Sequence, residues 1–247
     1  MFINNTARTT PRPRAKGKVR WDNTPPTSPP EVFLVPQPAS NRLSPRPRPT
    51  AVRVAIDWES KRPAGFTGSV WEPNQQGGFL ANRLAGHAAE AAALDDYTGG
   101  ESLYMNAAER PGSKLHALMG PSGLRRTKTA NGHLSDLVAA APPTDRDQLV
   151  FRGADHGPPG RVWRKPDFTS TSFRWETALH FNTERGVLKP FCLMVIRIPG
   201  GARVLEVGEG GAFLDTEGEV LINRNSLFIV DAVAEIGRYT IFYMTLQ

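Results

Sequence analysis

The sequence predicts an α+β domain in which a mainly helical part comes first and two packed antiparallel β-sheets follow. Three observations lead there. Residues 81–94 form an Ala-rich run of good helix formers. From residue 149 onward the texture changes to short, apolar, β-prone runs at close spacing. Eleven of the 22 prolines fall in residues 1–50, which separates that stretch from both. A helical block followed by many short strands favours antiparallel pairing within one domain.

Residues 1–50 read as a disordered tail, and residues 51–247 as the folded domain. Proline removes the backbone donors that helix and sheet require. Pro11-Arg12-Pro13-Arg14 and Pro45-Arg46-Pro47-Arg48-Pro49 have too little apolar surface to repay ordering. The tail holds nine Lys/Arg and two Asp/Glu, a balance of +7, against +6 for the whole chain. The difference leaves −1 for everything else, so the basic character belongs to the tail. A Pro/Arg stretch of this kind reads as a solvated spacer, as a contact for nucleic acid or an acidic surface, or as a leader for delivery.

In the helical part, Gly78-Phe79-Leu80 leads into the Ala-rich run, which Asp96-Tyr97-Thr98-Gly99-Gly100 breaks. A short helix is expected over Ser102–Arg110, ended by Pro111-Gly112, and a third over Leu134–Ala140, stopped by Pro142-Pro143. Strands are expected at Leu149–Arg152, Phe168–Phe173, Phe191–Ile198, Arg203–Val207, Glu219–Ile222, Ser226–Val230 and Tyr239–Met244, with a helix over Trp175–Phe181.

Several function classes are disfavoured. No window of eighteen apolar residues exists to span a membrane. Met1 to Arg20 is polar and basic, without the apolar stretch of a cleavable secretory signal. Cys192 is the only cysteine, so an internal disulfide is impossible, and its apolar neighbours suit a small buried hydrophobe. No Cys/His spacing suits a metal, and Gly208-Glu209-Gly210-Gly211 lacks the Lys-Ser/Thr ending of a phosphate loop. His156, ahead of Gly157-Pro158-Pro159-Gly160, reads as a loop histidine, and Trp163 and Trp175 as packing residues.

Three pieces stand out in order. Phe151-Arg152-Gly153 puts an arginine at a strand end, before a glycine. Phe168-Thr169-Ser170-Thr171-Ser172 is an aromatic followed by a hydroxyl run. Glu217-Gly218-Glu219-Val220-Leu221-Ile222 is a pair of glutamates leading into an apolar strand. Each alone is weak: a strand-end Arg usually makes a surface ion pair, and acids at i, i+2 share the solvent face of a strand. Their order, spacing and apolar flanks together resemble the bacterial ADP-ribosylating exotoxin family, the arginine-specific class with an R-S-E site. The similarity runs from about Ala81 to Gln247 and includes Asp96-Tyr97-Thr98-Gly99, Met105-Asn106 and the stretch Pro190–Ala202. It departs at Leu214, where the family often carries an aromatic, Phe213 standing one residue earlier; Phe181 and Arg185 are four apart where the family tends to three.

The resemblance implies an NAD cleft between the sheets and mono-ADP-ribosyl transfer from NAD, as co-substrate and without a metal, to an accessible arginine of a target protein. Breaking the nicotinamide–ribose bond needs no acid, because the leaving group is already cationic, but it spreads positive charge over the ribose. By resemblance Glu219 stabilises that charge, Ser170 holds Glu219, and Arg152 binds the NAD phosphates through its planar fork. Gly153 leaves backbone open to the nicotinamide amide, Phe181 stacks on nicotinamide, and Arg185 adds a second phosphate contact. Glu217 aims the acceptor guanidinium, since family relatives with glutamine there modify other side chains. The alternatives are an NAD glycohydrolase, with water as acceptor, and an inactive binding module of the same fold. A toxin, effector or phage-encoded modifier would act outside the cell or be delivered into a target cell without a cleavable signal, with a cytoplasmic role as the alternative.

Overall fold

The computed structural model describes residues 56–183, 191–207 and 218–247, with the side chains of 180–183 and 191 outside the description. The tail therefore lies outside the described residues, as do Arg185, Glu217, and Gly208 to Gly211.

The helices come first. They are α1 (Phe79–Gly86), α2 (Ala88–Asp96), α3 (Ser102–Ala108), α4 (Lys114–Leu118) and α5 (Pro121–Ala140), with a π-helical turn over Tyr97–Glu101 between α2 and α3. The Ala-rich run is two helices and not one. His87 leaves helical geometry at φ −133° and ψ 71°, and its Nδ1 lies 2.9 Å from the Arg83 carbonyl oxygen. A two-pronged pair of Arg83 with the buried Glu90, at 2.8 and 2.6 Å, spans the break. The Asp96–Gly100 breaker is that π-helical turn, where Gly100 takes φ 113°. Helix α5 starts thirteen residues earlier than the apolar pattern suggests, with Pro121 in its first turn. Its first turns hold no fully buried side chain, so they carry no apolar periodicity; burial begins at Asn131 and continues through Leu134, Leu137 and Val138. Asn131 ties α5 to α3 by donating to the Met105 carbonyl at 2.8 Å and to Glu109 at 2.7 Å.

The strands are β1 (Ser69–Val70), β2 (Gln148–Ala154), β3 (Val162–Lys165), β4 (Thr169–Ser172), β5 (Phe191–Ile198), β6 (Leu205–Glu206), β7 (Glu219–Ile222), β8 (Ser226–Ile236) and β9 (Tyr239–Leu246), with α6 (Trp175–Thr183) between β4 and β5. They hydrogen-bond as one nine-stranded sheet in the order β3-β8-β9-β5-β2-β4-β7-β6, with β1 beside β2. Two pairs, β1–β2 and β5–β9, run parallel, so the expected all-antiparallel arrangement is corrected to a mixed one. The expected packing of two layers nevertheless exists, because the sheet folds back on itself. Val150, Met194, Ile196 and Met244 from β2, β5 and β9 share one core with Val204, Val220 and Ile222 from the β6–β7 side. Strand alternation sends Leu149, Phe151, Leu193 and Val195 the other way, against Trp58, Phe66 and Ala178 of α6. Phe168, Leu205 and Leu221 face the helices instead, packing on Leu94, Leu134 and Leu137.

Candidate active site

The two halves of the sheet meet where β2 passes β4. Strand β2 pairs with β5 along all of its length, Gln148↔Ile198 through Ala154↔Cys192, but with β4 only through Phe151↔Ser172. Beyond that pair the ladder stops. The next residue of β2, the half-buried Arg152, reaches across instead, and its Nη1 donates to the Ser170 carbonyl at 2.5 Å. Removal from water pushes the Arg152 guanidinium below its ordinary value, while Asp167 and Glu219 oppose that shift by attraction. Gly153 follows on β2, opposite Leu193.

Strand β4 lies antiparallel to β7 with Ser170 opposite Leu221 and Ser172 opposite Glu219. Opposite residues of an antiparallel pair point to one face, as do residues two apart on a strand. Ser170, Ser172 and Glu219 therefore share a face, with Ser172 directly across from Glu219 and Ser170 diagonal to it. The other face is held by Thr171, whose hydroxyl donates to the Val220 carbonyl at 2.6 Å. Just before Glu219, Gly218 has φ +57°, and the Phe173 ring occupies the space a Cβ there would need. The Phe173 amide donates to the Gly218 carbonyl at 3.0 Å, so the entry to β7 is fixed on β4 and on the start of α6.

The structure adds a charged cluster that the three motifs did not contain. Lys165, at the end of β3, is buried and donates to Asp167 Oδ2 at 2.7 Å and to the Phe168 carbonyl at 2.6 Å. Arg110, two residues past α3, donates to the same Asp167 oxygen. Burial pushes the Lys165 ammonium down to about 7, and repulsion from Arg152 adds to the shift. Burial alone would raise the Asp167 carboxyl, but its bonds to Arg110 and Lys165 outweigh that and hold it below the usual range. Tyr97 packs edge-on against Phe168 with ring centroids 5.7 Å apart. Its phenol is pushed up by burial and further by the Glu219 carboxylate. Asn106 Oδ1 is buried beside it without a hydrogen-bond partner among the described residues. Tyr97 and Asn106 belong to stretches the sequence singled out; Lys165, Asp167 and Arg110 do not. The signal for Lys165 and Asp167 was a Lys-Pro-Asp step immediately ahead of the Phe168–Ser172 run; Arg110, at the end of the expected Ser102–Arg110 helix, carried none.

Arg152, Ser170 and Glu219 are thus brought together, with Gly153 next to them along β2. The Phe181 backbone lies in α6, while its side chain, Arg185 and Glu217 fall outside the described residues. His156 is exposed in the loop after β2, Trp163 packs on Phe228 at 5.8 Å between centroids, and Cys192 is a buried free thiol. A cavity of about 380 Å³ between Trp58, Phe151, Phe173 and Trp175 has none of Arg152, Ser170 and Glu219 in its wall. Among the described residues no group of three His, Cys, Asp or Glu could hold a metal ion, and no helix is long and apolar enough to cross a membrane.

No protein-family model and no curated protein matches the chain. Solved structures do. The domain defined above is an α+β fold with a helical layer on a mixed sheet that closes over its own core. That fold is the one found in bacterial ADP-ribosylating toxins. The ADP-ribosylating toxin BECa of a binary enterotoxin of C. perfringens, solved with NADH, superposes with a TM-score of 0.55 at 16% identity, over 70% of this chain and 47% of that one. Exoenzyme S from Pseudomonas aeruginosa, solved with human 14-3-3 protein beta and bound to carba-NAD, gives 0.52 at 19% identity over 70% and 80%. The ADP-ribosyltransferase Vis, from Vibrio splendidus, in complex with agmatine gives 0.51 at 17% identity over 70% and 82%.

Proposed function

We propose that the chain is a mono-ADP-ribosyltransferase that takes ADP-ribose from NAD and transfers it to an arginine of a target protein. The observation that carries this reading is the junction of β2, β4 and β7. There Arg152 spans to the Ser170 carbonyl and Glu219 stands across from Ser172, within a fold shared with ADP-ribosylating toxins. Neighbouring structures that hold NADH and carba-NAD support NAD as the donor. The neighbour that holds agmatine, a guanidinium-bearing amine, supports a guanidinium acceptor.

In this reading Arg152 grips the diphosphate and Gly153 leaves its backbone open to the nicotinamide amide. Asn106 offers a buried acceptor to a ribose hydroxyl. Glu219 accepts from the ribose 2′-hydroxyl and faces the positive charge that grows as the C1–nicotinamide bond breaks. The bonding pair leaves with the nicotinamide nitrogen, which becomes neutral. Ser172 and Ser170 hold the Glu219 carboxylate from across the ladder and from the diagonal. Glu217 aims a guanidinium nitrogen at C1, and the proton that this nitrogen sheds passes to the carboxylate or to water. Phe181 stacks on nicotinamide and Arg185 adds a phosphate contact. The basic tail serves as a spacer or as a contact to an acidic surface, outside the catalytic unit, and the protein acts as a toxin or effector on a target protein.

The test is incubation of the purified protein with labelled NAD and a cell lysate, followed by mass spectrometry of the labelled proteins. ADP-ribose on arginine, absent with the Glu219→Gln variant, is the expected result. NAD left intact would overturn the reading, and label on lysine or cysteine alone would overturn the acceptor.

A further inference from the structure

Among the described residues the cluster sets three cations, Lys165, Arg110 and Arg152, against two carboxylates, Asp167 and Glu219. Asp167 Oδ2 already receives both the Lys165 ammonium and the Arg110 guanidinium. Lys165 and Asp167 are both buried, so water does little to screen them. The third cation, Arg152 on β2, makes no direct ion pair with a carboxylate among the described residues; its guanidinium is committed to a neutral carbonyl. Among the described residues that face the cluster, no further unpaired carboxylate appears. Across the ladder from Lys165 stands Ser226 of β8, which is uncharged. The turn before β8 packs on Pro166 through the Asn225 amide, and its Arg224 is spent on Glu109 at 2.7 Å. Tyr97 is a neutral phenol, and the Glu219 carboxylate attracts Arg152.

We propose that Lys165 is the charge-balancing residue of the donor site, losing its proton in the free protein as pH rises above neutrality and keeping it when the diphosphate of NAD stands beside Arg152. The inference rests on the assignment of the diphosphate to Arg152. Lys165 is a positioning residue that acts through Asp167 and Arg110 and does not touch the substrate. Of the three cations it alone can give up its charge, because a guanidinium stays protonated. Its depressed value of about 7 agrees with a proton held loosely in the free state. An entering diphosphate brings fixed negative charge, raises the affinity of Lys165 for a proton, and draws one proton from solvent. No bond other than this N–H forms or breaks.

Proton uptake is read by titration calorimetry with a non-cleavable carbocyclic NAD analogue, in paired buffers of different ionisation enthalpy. Above the free-state value Lys165 starts neutral, so close to one proton per bound analogue is expected near about pH 8. Near about pH 6 it starts charged, and uptake should vanish. Affinity should then fall by up to about tenfold per pH unit above neutrality, the limit for one linked proton. Lys165→Arg, which keeps the charge but cannot shed it, should bind the analogue with no uptake at either pH. Binding of the analogue by the wild type without uptake at about pH 8 would overturn the inference while leaving the donor site in place. Uptake that persists in Lys165→Arg would do the same. No binding at all would overturn the donor assignment together with it.

Discussion

At the scale of single residues, the proposed chemistry rests on groups whose removal should have separable consequences. Glu219→Gln keeps the shape and loses the charge that meets the ribose cation, so NAD cleavage should fall by orders of magnitude at an unchanged melting temperature. A variant that still cleaves NAD at close to the wild-type rate would sink the mechanism. Arg152→Lys exchanges a planar fork for a point charge, so affinity for NAD should weaken in a direct titration. Glu217→Gln should spare cleavage but depress labelling of an arginine-rich acceptor, because a charge-assisted hydrogen bond is about twice as strong as a neutral one. Equal loss of nicotinamide release and labelling would remove the acceptor role from Glu217. At this scale the order Arg152, Ser170, Glu219 is visible without knowledge of contacts, and the fold brings these three to one junction. The sequence did not reveal that Ser172 is the direct cross-strand partner of Glu219. That depends on a register between β4 and β7 that only the folded ladder fixes.

At the scale of elements, apolar strands such as β5 and β7 were legible because both of their faces are buried. The start of α5 and the two-residue β1 were not, since one is solvent-facing over its first turns and the other is too short to show a period. The break in the Ala-rich run was hidden for another reason: alanine favours helix on either side of His87, and the Arg83–Glu90 pair that spans the break is seen only in the folded chain. Arg83→Ala should leave the buried Glu90 unpaired and cost about 1–3 kcal/mol, read as a lower urea midpoint. Leu137→Ala, in the core between α5 and Phe168, should cost about 2–5 kcal/mol. If the Arg83 variant melts with wild type, the α1–α2 corner is held by packing alone. Gly218→Ala should destabilise too, since its φ of +57° and the adjacent Phe173 ring both oppose a side chain.

At the scale of the whole molecule, stability should depend on pH through Lys165. Its folded value, about 7, is below that of the unfolded chain, so between these values the unfolded state binds the extra proton. Stability therefore rises with pH above neutrality and is lost as pH falls toward the folded value. Cys192 and Tyr97, both pushed up, act in the opposite sense once the unfolded thiol and phenol begin to ionise. The clean window is therefore about pH 7 to 8.5. Urea midpoints should climb across it in wild type and stay level in Lys165→Met; a flat wild-type profile would contradict the burial of this ammonium. Removing residues 1–50 should leave NAD cleavage unchanged, because a tail dominated by Pro and Arg offers too little apolar surface to repay ordering on a core. The joint between the two halves has a consequence of its own. Where seven register pairs bind β2 to β5, a single one stitches it to β4, reinforced by the Arg152 side chain. This seam is where the sheet should unzip first under load or heat, and amides of Ser170 to Ser172 should exchange with deuterium ahead of those in β5. A donor that draws Arg152 toward its phosphates would unpick the same stitch, so occupancy and seam strength would be traded against each other by one guanidinium.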